Sequence, residues 1–192
     1  MVLTGQKLAA VTGDQEFARQ RLGDTIVPIL DGYRKGTRHG IRMTPDGLIT
    51  QGEPGVQLTW MDAKVGDWVV TPRRGYAVEI QALWYNALLV GADLARGAGE
   101  TRRAAEWAAL AGKVRESFLR AFWSDSTGYL ADVVAGGTPD LSLRPNQLYA
   151  IGLPHARRWS DQQGVDDAEH GGVGADADGQ RERGSHREQL VS

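Results

Sequence analysis

Apolar residues recur with a helical period in three stretches of the chain. They cover about residues 14–33, 78–95 and 101–122. Apolar positions three to four residues apart mark one face of an amphipathic helix. The second stretch is apolar around so much of its circumference that we expect it to be almost fully buried. Because only a short GAGE link separates it from the third stretch, these two helices should form an antiparallel hairpin.

Turn-forming residues interrupt the chain between these helices. The segment IRMTPDGLITQG predicts a small β-hairpin around Pro45, Asp46 and Gly47. The segment from Gly128 to Leu153 predicts a strand, a turn rich in Gly and Pro, and a helix that begins at Pro145. No long stretch alternates between apolar and polar residues, so the sequence predicts an all-α fold class with small β-hairpin loops.

The composition changes near residue 156. Residues 156–192 are rich in charge, Gly and Gln, and their few large apolar residues follow no regular spacing. Such a segment cannot bury enough surface to offset the entropy of ordering it. We therefore predict one domain over residues 1–155 and a disordered tail over residues 156–192. The tail's GGVGADADG is a single imperfect match to a calcium-binding repeat, and we expect no metal site there.

Charge and composition exclude several classes of protein. The chain has 192 residues, of which 41% are hydrophobic and 24% charged, with a formal net charge of −2. This balance provides no basic field for nucleic acid or for an anionic membrane. The absence of cysteine excludes a disulfide scaffold, a thiolate metal site and a cysteine nucleophile. With no apolar span and no recognisable signal peptide, we expect a cytoplasmic protein without a cofactor. Its oligomeric state stays open.

The loop before the second helix carries the candidate chemistry. Three of the six tryptophans fall between residues 60 and 84, and the loop also holds Asp62. The face of a tryptophan stacks on the apolar side of a sugar ring, while carboxylates and arginines bind its hydroxyl groups. Asp62 and Glu79, two carboxylates beside aromatic residues, are the minimal set for hydrolysis of a glycoside.

A purely structural interpretation of the same loop is open. Tryptophan and methionine in a loop are commonly core anchors, and Asp62 could cap a turn. Glu79 could satisfy free N–H groups at the start of its own helix. On spacing alone, the structural interpretation is favoured.

Several residue strings along the chain are more informative than the spacing of single residues. LTWMDA, the VTPR that follows it, and VEIQALWYNAL resemble the C-terminal glucosidase domain of glycogen debranching enzymes, the amylo-α-1,6-glucosidase family. GYLADVV and LRPNQLYAIGLPH resemble the same family, in the same order. The resemblance covers roughly residues 14–155 and is more specific than any single short motif.

This resemblance implies a fold, a reaction and a set of site residues. The fold would be part of an (α/α)6 barrel of the six-hairpin glycosidase type. The reaction would be the inverting hydrolysis of the α-1,6-linked glucose at a branch point of glycogen or another branched α-glucan. Asp62 would be the general acid. The substrate-binding residues would be Trp60, Arg73, Glu79, Trp84 and Asn146.

The chain also departs from the family pattern. The family's barrel has twelve helices, and the carboxylate that serves as its catalytic base comes from far beyond the LPH motif. We therefore expect a truncated or frame-shifted fragment that is inactive alone. Two alternatives stay open, namely a non-catalytic glycan-binding module and another glucosidase or trehalase-like hydrolase on the same barrel.

Overall fold

A computed structural model of the chain describes residues 4, 7, 11–13 and 15–155. Three long helices dominate this part, and they lie within two residues of the predicted bounds at each end. They are α1 (Gln15–Lys35), α2 (Val78–Gly97) and α3 (Thr101–Phe122). A 3-10 helix and a one-turn helix follow near residue 150, Pro145–Leu148 and α4 (Tyr149–Gly152).

Short strands pair between the helices. Within the described residues there are nine strands, and all of their pairings are antiparallel. The strands are β1 (Arg42–Met43), β2 (Ile49–Thr50), β3 (Lys64–Val65), β4 (Trp68–Val69), β5 (Tyr76–Ala77), β6 (Trp123–Ser124), β7 (Tyr129–Leu130), β8 (Val133–Ala135) and β9 (Thr138–Asp140). Three pairs are two-stranded (β1–β2, β3–β4 and β6–β7), and β5, β8 and β9 form one three-stranded sheet.

These sheets correct the predicted fold class. The expected hairpin around residues 45–47 is confirmed as β1–β2, but an all-α description is wrong because the chain also builds a three-stranded sheet. In that sheet Tyr76 pairs with Val134 and Ala77 with Val133. Strands of two or three residues are too short to show an alternating pattern, and this pairing joins distant segments. Local sequence therefore gave no signal for it.

The core lies where α2 packs between α1 and α3. Gly91 of α2 permits this packing, because a Cβ atom there would come within 2.8 Å of Leu30 in α1 and 3.0 Å of Trp107 in α3. Both of these side chains are buried. The predicted hairpin of α2 and α3 is confirmed, and so is the near-complete burial of α2.

Two hydrogen bonds hold strand β2 against α2. Gln81 of α2 accepts a hydrogen bond from the backbone N–H of Ile49 and donates one to the carbonyl of the same residue, both at 2.8 Å.

Gly75 has a positive φ of 91°, and a Cβ atom there would lie 2.5 Å from the carbonyl oxygen of Val134. Only glycine fits this approach, which brings residues 73–79 against residues 132–134.

The predicted tail over residues 156–192 lies outside the described residues. The boundary at residue 155 stays a prediction.

Candidate functional site

Asp62 sits in a tight turn of the loop that precedes α2. Its side chain is buried, and its two carboxylate oxygens accept hydrogen bonds from the backbone N–H groups of Leu58 and Thr59, each at 2.9 Å. These bonds fix the carboxylate and close the turn around it. Each oxygen accepts one bond and has a second lone pair free, so these bonds leave room for the proton that a general acid carries.

Trp60 and Met61 connect this turn to the 3-10 helix near residue 146. The indole N–H of Trp60 donates to Oδ1 of Asn146 at 2.9 Å, and Nδ2 of Asn146 contacts the sulfur of Met61 at 2.9 Å. Asn146 is fully buried, whereas Trp60 is 63% exposed. The ring of Trp60 is therefore open to solvent, while its N–H group is bonded to a buried side chain.

A buried ionic cluster lies on the other side of Asn146. Arg73 is almost fully buried, and its guanidinium pairs with the carboxylates of Glu79 and Asp132. Arg144 donates to the same Asp132 at 2.8 Å and to Asp140 at 2.7 Å. Asp132 also accepts a hydrogen bond from Nδ2 of Asn146, at 3.0 Å. We call these residues, with Asn146, the polar cluster.

The three-stranded sheet carries Asp132 to this place. The backbone N–H of Asp132 donates to the carbonyl of Asp140 at 2.8 Å, and its carbonyl accepts from the N–H of Val78 at 3.0 Å. The second bond satisfies a free N–H group in the first turn of α2. The start of β8 and the start of α2 are thus joined at the cluster.

The pKa values of the carboxylates shift in opposite directions on the buried and the exposed side of the cluster. Burial raises the pKa of Glu79 above its ordinary 4.5, because the loss of water outweighs the lowering by Arg73. Hydrogen bonds with Ser142 and Arg144 lower the pKa of the more exposed Asp140 to about 2. The hydrogen bond to Asp140 in turn raises the pKa of Arg144.

Two polar atoms of the cluster have no protein partner. Oε1 of Glu79 and Nε of Arg73 are buried, and neither makes a hydrogen bond within the described part of the chain. Leaving such groups unsatisfied costs free energy, which the rest of the fold must offset. Together they offer one acceptor and one donor.

The structure brings most of the predicted site residues together. Trp60, Arg73, Glu79 and Asn146 belong to one connected set of hydrogen bonds, and Asp62 is two residues from Trp60. Trp84 lies elsewhere. Its indole N–H donates to the carbonyl of Gly47 at 3.0 Å, and its ring packs on Tyr33 with centroids 5.9 Å apart. A sugar contact for the buried Trp84 stays a prediction.

Sequence reasoning missed the residues that hold the cluster together, Asp132, Asp140 and Arg144. One signal was available for Asp132, which stands between the apolar residues Ala131 and Val133 and is fully buried. A carboxylate in such a position needs a cationic partner. Which arginine provides it depends on the tertiary structure.

Residues 4, 7, 11–13 and 15–155 contain no group of three or more His, Asp or Glu side chains placed to hold a metal ion. Among the helices of that same part, none is long and apolar enough to cross a membrane.

Comparison with protein families shows what the chain is similar to. A family model described as Amylo-alpha-1,6-glucosidase matches residues 2–170. No curated protein matches the chain. The matched range includes the Trp60–Asp62 turn and every residue of the polar cluster, and it continues past residue 155.

Proposed function

The chain belongs to the amylo-alpha-1,6-glucosidase family, and on that premise we propose that it acts on α-1,6-linked glucose at the branch points of an α-glucan such as glycogen. The observation that carries this proposal is the family match, which covers residues 2–170. We further propose that α1, α2 and α3 are part of the (α/α)6 barrel implied by the sequence resemblance.

Asp62 is the general acid in this proposal. It would protonate the glycosidic oxygen while a second carboxylate, about 6.5–9.5 Å away, activates a water molecule on the opposite face of the sugar. Two features support Asp62, namely its place in the TWMDA string and the turn that fixes its carboxylate. Glu79 is the next candidate for the acid, since burial raises its pKa.

The polar cluster is the proposed subsite for the glucosyl unit. The exposed ring of Trp60 would stack on the C–H face of the sugar, and Arg73 and Glu79 would bind its hydroxyl groups once the site opens enough to uncover their buried, unpartnered atoms. Trp84 stays a predicted sugar contact outside this cluster, and its N–H group and its ring are both occupied within the core.

Because the family's catalytic base is expected beyond this chain, the experiment uses an enzyme completed with that base and measures glucose released from a dextrin that carries single α-1,6-linked glucosyl branches, with NMR to identify the first anomer formed. We expect β-glucose first, as inversion requires. Asp62→Asn should lower the rate by roughly 10²–10⁴-fold, the usual contribution of a general acid. Binding to glycogen should weaken far less, by the loss of one of the two backbone hydrogen bonds that close the turn. The matched control is Asp67→Asn, which changes an exposed carboxylate of the same loop. If Asp62→Asn and Asp67→Asn release glucose at the same rate, Asp62 is not the acid.

A second candidate function is a glycan-binding module that does no chemistry. The specific observation in its favour is that both oxygens of Asp62 already accept backbone hydrogen bonds. Sedimentation with glycogen, without any release of glucose, would favour this function over hydrolysis.

A further inference from the structure

The hydrogen bonds from Trp60 to Asp132 have a fixed direction. The indole N–H of Trp60 can only donate, and an ionised carboxylate such as that of Asp132 can only accept. Asn146 lies between them with one acceptor and two donor hydrogens. Its amide satisfies both neighbours in one orientation only, with Oδ1 toward Trp60 (2.9 Å) and Nδ2 toward Asp132 (3.0 Å).

Asp132 is well suited to set this orientation. It is fully buried, and its Oδ2 is engaged by Arg73 and Arg144, so Oδ1 faces Asn146 with its position fixed by two cations. Asn146 is also fully buried and follows Pro145, which restricts the backbone at the start of the 3-10 helix. At the far end of the chain of bonds, Trp60 is 63% exposed and has little packing of its own.

We propose that Asp132 is a positioning residue that, through the amide of Asn146, holds the exposed ring of Trp60 in one orientation as a rigid platform for a sugar. The sugar-binding part of this inference rests on the proposed function, whereas the orientation of Trp60 does not. The advantage of a rigid platform is that less side-chain entropy is lost when a ligand binds.

Replacing one carboxylate oxygen of Asp132 by an NH2 group should reverse the direction of the hydrogen bonds that run from Trp60 to residue 132. In Asp132→Asn the new side chain directs its oxygen toward the arginines and its NH2 group toward Asn146. Asn146 must then turn its oxygen toward residue 132, which leaves its NH2 group facing the indole N–H. Two donors cannot bond to each other, so Trp60 is released.

The first measurement uses the unchanged protein. Trp68 is as exposed as Trp60, at 63%, but lacks the bond to Asn146. In a 15N-labelled sample, the indole N–H of Trp60, identified by its loss in Trp60→Phe, should exchange with solvent several-fold more slowly than that of Trp68. Equal exchange rates for the two indoles would overturn the proposal.

The second measurement uses variants. Asp132→Asn should shift the indole signal of Trp60 and raise its exchange rate to that of Trp68, while the signal of Trp84 stays in place. Asp140→Asn is the matched control, because it removes a carboxylate from the same Arg144 and leaves Asn146 untouched. If Asp132→Asn does not fold, Asn146→Leu breaks the same bond to Trp60 without changing a charge. A folded variant of either kind with an unmoved Trp60 signal would contradict the proposal.

Binding to glycogen separates this inference from the proposed function. We expect Asp132→Asn and Asn146→Leu, which both keep the ring of Trp60, each to weaken binding about fivefold, the value of the one hydrogen bond that holds the ring. The double variant should be no weaker than either single variant, since both remove the same restraint. If the unchanged protein neither binds glycogen nor releases glucose, while the Trp60 signal still responds to Asp132, the proposed function fails and the positioning role stands.

Discussion

Helix α2 takes part in two regions that are buried to the same degree but held together differently. Its first turn contributes Glu79 to the polar cluster, while its middle contributes Leu88 and Ala92 to the apolar core between α1 and α3. The core depends on area and volume, and these change gradually with the size of a side chain. The cluster depends on charge and on the direction of each hydrogen bond. A change of one atom can therefore do more in the cluster than a change of several atoms in the core.

The difference also indicates which region serves a function. Burying an ionic cluster is a poor way to stabilise a fold, because the loss of hydration can exceed the attraction between the charges. An apolar substitute would fill the space between β8 and α2 at less cost. Three carboxylates and two arginines there agree with the binding site proposed above.

The largest expected effect comes from removing the central cation. Arg73→Met leaves the carboxylates of Glu79 and Asp132 without their shared partner, and we expect a loss of about 3–5 kcal/mol in the free energy of unfolding. Urea denaturation measures it. The control is Arg96→Met, which breaks an exposed pair with Asp93 and should cost less than about 1 kcal/mol. Equal losses at the two positions would show that the buried ion pairs of Arg73 contribute no more to stability than an exposed pair.

The next effect tests the apolar region. Leu88 is fully buried, so Leu88→Ala should lower the free energy of unfolding by about 3 kcal/mol through lost contacts and a residual cavity. Leu88→Met nearly conserves the volume and should cost less than about 1.5 kcal/mol. Thermal or urea unfolding of the two variants measures both losses. Should Met prove as harmful as Ala, the core would depend on shape as strictly as the cluster depends on direction.

The smallest effect is a dependence on pH, and its sign differs between two carboxylates of the cluster. Because burial raises the pKa of Glu79, its contribution to stability is present in full below about pH 4.5 and is lost as the pH rises through the raised value. The pKa of Asp140 is lowered to about 2, so its contribution is present above pH 3.8 and is lost as the pH falls through about 2.

Unfolding curves of Glu79→Gln and Asp140→Asn between pH 2 and 8, each compared with the unchanged protein, measure these contributions. The advantage of the unchanged protein over Glu79→Gln should shrink as the pH rises. Its advantage over Asp140→Asn should shrink as the pH falls, and only slightly, because Asp140 is partly exposed. Slopes of the same sign for both variants would remove the distinction between the buried and the exposed side of the cluster.

How much of this could be predicted follows from how local each signal is. The bounds of α2 and α3 were predictable, since their apolar positions repeat every three to four residues within one segment. The pairing of Tyr76 with Val134 was not, because it joins two short strands that are distant in sequence.

The candidate site shows the same division. Trp60, Arg73, Glu79 and Asn146 were identified through residue strings that resemble a family, and the structure joins them in one set of hydrogen bonds. Asp132 and Arg144 were missed, since nothing in the local sequence indicates that a carboxylate in ADVV faces the arginine of VTPR. The roles of Asp62 and of the sugar-binding residues stay predictions.

Gln81 has a consequence for how the protein behaves among copies of itself. Strand β2 pairs with β1 on one side, and on the other side the next residue, Gln51, bridges to Gly75. Between these pairings, Ile49 would otherwise present an unpaired N–H and carbonyl. The amide of Gln81 takes both, as a neighbouring strand would. A strand whose free side is already satisfied cannot recruit a strand from another molecule. One side chain of a helix thus closes, at Ile49, the gap that the bridge between Gln51 and Gly75 leaves beside β2, and removes a starting point for aggregation.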